Sequence, residues 1–126
     1  MKAESAAFLQ KSREAFAKAQ GMLARWPDEA GRAAYLAGLH AAQALIFEKT
    51  GAVIKRHRGV QRELGRLTKD EPRFDLELRA FLGRTYNLKA IADYEIGVDS
   101  QVTTEQAQAA IDVAARFVAC ITELLA

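Results

Sequence analysis

Lys55-Arg56-His57-Arg58, continued by Arg62 and Arg66, gathers cations around one imidazole with only Glu63 opposing them. Arg58, Arg62 and Arg66 recur every four residues, so a helix would set them in one stripe. Guanidinium forks and the free N–H groups of a helix start both favour anions, and the chemistry implied is a grip on phosphate. His57 changes charge near neutral pH, which suits a general base. The opposing reading is a solvated basic face, with His57 an ordinary polar residue at a helix start.

A second group lies further along. Tyr86, Lys89 and Asp93 share one face of a helix, with Arg84 just before them. Lys89 and Asp93 form an i,i+4 pair in the weaker order, worth a few tenths of a kcal/mol on a surface. So small a return points toward a buried or interfacial role, against the plainer reading of a surface pair. In a third group, Arg32, Tyr35, Leu39 and Gln43 surround His40 at helical spacing among alanines. Arg32, Tyr35 and His40 are expected to form a structural polar core, with His40 bonded to a tyrosine or a carboxylate.

Neither histidine has a second ligand at His-x-x-x-His or Glu-x-x-His spacing, and Cys120 is the only cysteine, so no metal site is expected. Cys120 lies in the apolar helical run Phe117 to Ile121 and is expected to be a small buried hydrophobe. There is no glycine-rich phosphate loop, dinucleotide fingerprint or Gly-x-Ser-x-Gly elbow, and no cofactor is expected.

These residues require helices to position them. Apolar residues recur at helical spacing from about Glu4 to Arg25, with Ala7, Phe8, Ala15, Phe16, Ala19, Met22 and Leu23 on the expected buried face. Trp26-Pro27-Asp28 breaks the run, with Asp28 the expected N-cap of a helix reaching Lys49 and stopped at Thr50-Gly51. A basic connector leads to a short helix near Val60 to Leu67. Pro72 suits the first turn of a fourth helix, roughly Arg73 to Glu95, and Gly97 to Gln101 is the last loop. Thr103-Thr104-Glu105-Gln106 has the form of a capping box opening the fifth helix.

No segment alternates with a period of two, so the fold predicted is all-α: an antiparallel up-and-down bundle of four long helices plus one short helix, in a single domain over residues 1–126. The alanines of the second helix place it at the centre. A net charge of +2 leaves no whole-molecule field to attract polyanions, so any basic site must be local. Nothing at the N-terminus resembles a signal peptide, and the longest apolar stretch, Ala33 to Phe47, is shorter than the ~20 residues of a membrane span. A cytoplasmic protein with no membrane partner is expected.

Read together, three pieces resemble the HEPN family of small helical domains from prokaryotic toxin–antitoxin and nucleotidyltransferase-linked systems. Arg32, Tyr35, His40, Ala41, Ala42, Ala44 and Leu45 are similar to the family's Arg-x-x-Tyr-x-x-x-x-His-Ala-Ala-x-Ala-Leu. Gly51 and Lys55 to Val60 are similar to its glycine turn and basic-His stretch, and Leu88 to Tyr94 to its Leu-Arg-x-x-x-Ala/Asp-Tyr. The likeness spans roughly Ala3 to Glu123. It implies a homodimer with a cleft between protomers, an RNA or nucleotide ligand, and a minimal nucleotidyltransferase partner that modifies a tyrosine, for which Tyr94 is the candidate.

The resemblance also implies a metal-free ribonuclease motif, an arginine followed four to six residues later by a histidine. Here Lys89 stands in the arginine's place and Asp93 in the histidine's. A lysine lacks the bidentate fork, and an ionised aspartate has no proton to return to a leaving oxygen. The expected function is therefore a HEPN-like binding module, catalytically weak or inactive. His57, Lys89 and Asp93 are the catalytic candidates, and Lys55, Arg56, Arg58, Arg62, Arg66 and Arg84 the phosphate-binding ones. One alternative is an endoribonuclease toxin with a rearranged site, in which His57 is the base and Lys89 or Arg84 the anion stabiliser. Another is a plain helical interaction protein, docking through the apolar face of its last helix.

Overall fold

Small side chains on the second helix let four neighbours approach it at once. The computed structural model describes residues 1–94, 96 and 101–126, and every regular element among them is a helix. These are α1 (Ala3–Met22), α2 (Pro27–Thr50), α3 (His57–Leu67), α4 (Leu76–Tyr94) and α5 (Thr104–Leu125). α2 packs against each of the other four, most extensively against α1. Its Ala30, Ala34, Ala37, Ala41, Ala42 and Ala44 are fully buried. The result is the expected all-α bundle, four long helices and one short, with the alanine-rich helix central. The short link from Leu23 to Trp26 turns the chain straight back, so α1 and α2 run antiparallel.

The face that α1 buries differs from the expected one. Ser5, Leu9, Ser12, Ala15 and Ala19 are buried; Ala7 is exposed, and Phe8, Phe16, Met22 and Leu23 only flank the core. The serines succeed because a close helix contact rewards small size, and because Ser12 Oγ donates to the Ala37 carbonyl at 2.6 Å. α4 meets α2 equally closely: a Cβ on Gly38 would overlap the Phe81 ring.

Several helix ends are also corrected. Pro27, not Asp28, opens α2, where its missing N–H costs nothing, and Trp26 occupies the cap position. α3 begins at His57 rather than Val60. Pro72 does not start α4; it sits in a turn, and the helix begins after Asp75, whose carboxylate accepts from the Leu78 N–H at 3.0 Å. Gly51 ends α2 as expected, in the left-handed region at φ 76°, its N–H on the Phe47 carbonyl at 2.8 Å. The capping box is present: Thr103 Oγ1 accepts from the Gln106 N–H at 3.0 Å, and Gln106 Oε1 from the Thr103 N–H at 2.9 Å. The predicted loop Gly97 to Gln101 lies outside the described residues except for Gln101, as does Glu95, the expected end of α4.

α5 buries Ala107, Ala110, Ile111, Ala114, Phe117, Cys120, Ile121 and Leu125. Its broad apolar face is thus packed within the chain, mainly on α2, instead of waiting for another subunit. Phe117 is wedged between Phe74 and Phe81, with ring centroids 5.5 and 4.9 Å away. Cys120 is buried as expected, which pushes its thiol pKa up. No described helix is long and apolar enough to cross a membrane.

Candidate functional site

Tyr35 is the only tyrosine on α2, and only 2% of it is exposed. Its hydroxyl lies 2.8 Å from Nδ1 of His57, on the first turn of α3. Burial pushes the Tyr35 pKa up to about 12, so the phenol keeps its proton at any ordinary pH. Among the described residues Nδ1 is the hydroxyl's only partner, and the direction of the bond follows the His57 tautomer. Burial, and then the charge of Arg58, hold the His57 pKa below the usual histidine value. When the protonated phenol donates to a neutral imidazole, Nδ1 accepts and His57 carries its proton on Nε2. That nitrogen has no hydrogen-bond partner among the described residues.

Tyr86 of α4 completes the aromatic group. Its ring stacks on His57 with centroids 4.0 Å apart and planes 15° from parallel, and it meets Tyr35 edge-on at 5.6 Å. Tyr86 is 41% exposed, so the stack opens to solvent.

One turn along α2 and α4 the contacts become ionic. Asp93 accepts from Arg32 Nε at 2.7 Å and from Lys89 Nζ at 2.6 Å, and Arg32 also pairs with Glu29. The Lys89 bond first, and the Arg32 bond after it, hold the Asp93 carboxyl below its usual range; the same bond raises Lys89. Cations from two helices therefore do meet, but on a carboxylate of this chain.

The structure thus brings His57, Tyr35, Tyr86, Arg32, Lys89 and Asp93 to one seam between α2, α3 and α4. Arg32 is not part of a polar core; its half-buried side chain lies at the rim with Asp93. His40 is half-buried on a different part of α2, and its Nδ1–H donates to Gln43 Oε1 at 2.8 Å, an amide where a tyrosine or carboxylate was expected. The Gln43 amide group in turn donates to the Ile54 carbonyl at 2.8 Å.

Lys55, Arg56, Arg58 and Arg62 are exposed and form no ion pair among the described residues, whereas Arg66 is engaged by Glu63 at 2.9 Å. Val60 and Leu64 turn inward, which puts the Arg58–Arg62–Arg66 stripe on the outer side of α3, next to His57 at its start. Arg84 is not brought to the seam. Two positions before Tyr86, it faces the opposite side of α4 and lines a groove against α5. Tyr94 ends α4 and is 79% exposed. The Tyr35–His57 bond and the role of Tyr86 were missed from sequence; the available signal was that Tyr86 shares a helical face with Lys89 and Asp93. Among the described residues, no three His, Cys, Asp or Glu side chains gather to hold a metal ion.

In comparison with known proteins, the family model described as the HEPN domain matches residues 5–124. No curated protein matches the chain.

Proposed function

The chain belongs to the HEPN family, and from that membership we propose a dimeric module that binds RNA or a nucleotide, alone or with a minimal nucleotidyltransferase partner, in a toxin–antitoxin-type setting. The observation that carries this reading is the His57–Tyr86 stack, open to solvent at Tyr86, in a chain segment whose Lys55, Arg56, Arg58 and Arg62 are exposed and not engaged by acids among the described residues. Stacked rings accept a base face, free guanidinium groups accept phosphate, and Nε2–H of His57 supplies a neutral donor beside them.

Catalysis is weak or absent in this reading, because each group a phosphorane would need is committed. Lys89 is neutralised by Asp93, Asp93 is held ionised by two cations, and His57 presents a proton where a base would present a lone pair. Tyr94, exposed at the end of α4, remains the proposed modification site for a nucleotidyltransferase.

Binding of single-stranded RNA, followed by fluorescence anisotropy across a salt series, tests the proposal. Affinity should fall steeply with salt, and Arg58→Ala with Arg62→Ala should reduce the log–log slope by about 2. A flat salt dependence, or an unchanged slope in the double variant, rejects it.

One observation favours the alternative of a metal-independent endoribonuclease. His57 is anchored at Nδ1 and held neutral, as a general base requires, provided substrate reverses the tautomer. Expression of the chain alone should then arrest growth, with relief by His57→Ala; healthy cells would exclude it.

A further inference from the structure

α4 packs so closely on α2, through Gly38 and Phe81, that it stands away from α5 and leaves a groove of about 330 Å³ between the two helices. α5 does not fill it, because the residues it turns that way include Ala109 and Ala110. Phe81 and Ala110 are buried at the floor, and Leu88 and Val113 are half-buried in the walls. Thr85 adds no polarity, since its hydroxyl donates back to the Phe81 carbonyl at 2.8 Å.

The rim has a one-sided chemistry. Arg84 is exposed and forms no ion pair among the described residues. Gln106 spends its carbonyl oxygen on the Thr103 N–H at 2.9 Å, leaving its amide group to donate. The one acid present, Glu77, is engaged by Arg116. A ligand seated here meets an apolar trough and uncommitted donors, so its polar end must accept hydrogen bonds, and beside a guanidinium it is best anionic.

We infer that the α4–α5 groove is a binding site for a small amphiphilic carboxylate, with its hydrocarbon body over Phe81, Leu88 and Val113 and its carboxylate on Arg84. The volume admits roughly ten non-hydrogen atoms, the size of octanoate. The site lies on the side of α4 away from His57 and Tyr86, and its occupancy does not depend on nucleic-acid binding.

Octanoate titrated into the full chain, followed by amide chemical shifts, tests the inference. Saturable shifts should centre on Phe81, Arg84, Leu88, Ala109, Ala110 and Val113 and should persist in the Arg58→Ala, Arg62→Ala variant. Arg84→Gln should weaken binding about tenfold, the loss of one charge-assisted hydrogen bond, and octanol should bind the parent more weakly by a similar factor. Ala109→Leu, an exposed position whose added bulk enters the groove, should prevent saturation while thermal melting stays that of the parent. The inference fails if octanol and octanoate bind equally, if Arg84→Gln changes nothing, or if the shifts fall on Tyr86 and His57. It also fails if no saturation occurs in the millimolar range, or if Ala109→Leu abolishes self-association in sedimentation, which would place a second copy in the groove.

Discussion

Two packed regions share the helix α2 and follow opposite rules. Against α1 and α5 it presents alanines, and the contact is close and mostly apolar, broken on the α1 side by the Ser12–Ala37 hydrogen bond, with Phe117 and Ile121 fully enclosed. Toward α3 and α4, Arg32 and Tyr35 project instead, and the contact is a seam of hydrogen bonds and ion pairs that reaches solvent. The first region draws its stability from area and fit, the second its specificity from hydrogen bonds and ion pairs in which Asp93 holds two cations and Arg32 two carboxylates. The division teaches that one helix can be both spine and site, because its faces are filled by different side-chain chemistries.

Four substitutions break or sharpen this contrast, the largest first. Phe117→Ala empties the centre of the apolar region and should cost about 3–5 kcal/mol, read as a fall in the denaturation midpoint with unchanged m-value. Gly38→Ala lies where the two regions meet and forces Phe81 to move; about 1–3 kcal/mol of destabilisation is expected from overpacking. A melting curve identical to the parent's would show that the α2–α4 contact is looser than drawn.

Tyr35→Phe removes only the hydroxyl in the seam, and should cost about 1 kcal/mol. Its larger signature should be spectroscopic: nitrogen shifts of His57 report Nε2–H in the parent and a tautomer mixture in the variant. The parent should also lose stability on acidification. The folded His57 pKa is depressed, so the unfolded chain binds the proton first, and stability falls as pH drops from about 6.5 toward the folded value. In His57→Gln this step should be absent. A parent with no decline in that range would place His57 outside the seam.

Much of the apolar region was legible in sequence. The apolar positions of α5 repeat with a helical period and are the buried ones, and the alanines of α2 announced a central helix. α1 misled because its buried stripe is built on Ser5 and Ser12, which a polarity pattern assigns to solvent although a close helix contact selects for volume. The seam was less legible. Tyr35 and His57 were each noted, but their meeting depends on how α3 folds back over α2, and no local period encodes that. The Lys89–Asp93 pair was visible from its spacing, while Arg32 as its third member came from another helix. Arg84 could have been set apart from Tyr86 by counting helical turns alone.

The segment after α2 folds back along that helix, and the Gln43 side chain holds its backbone at Ile54, just ahead of Lys55. The stretch bearing the first two cations is thereby moored before any guest arrives. Ordering it belongs to folding, so the polyanion proposed as its ligand would forfeit less of its grip to entropy than it would on a loose basic tail. Cutting that mooring should slow nothing in folding that matters, yet leave the same charges holding less firmly.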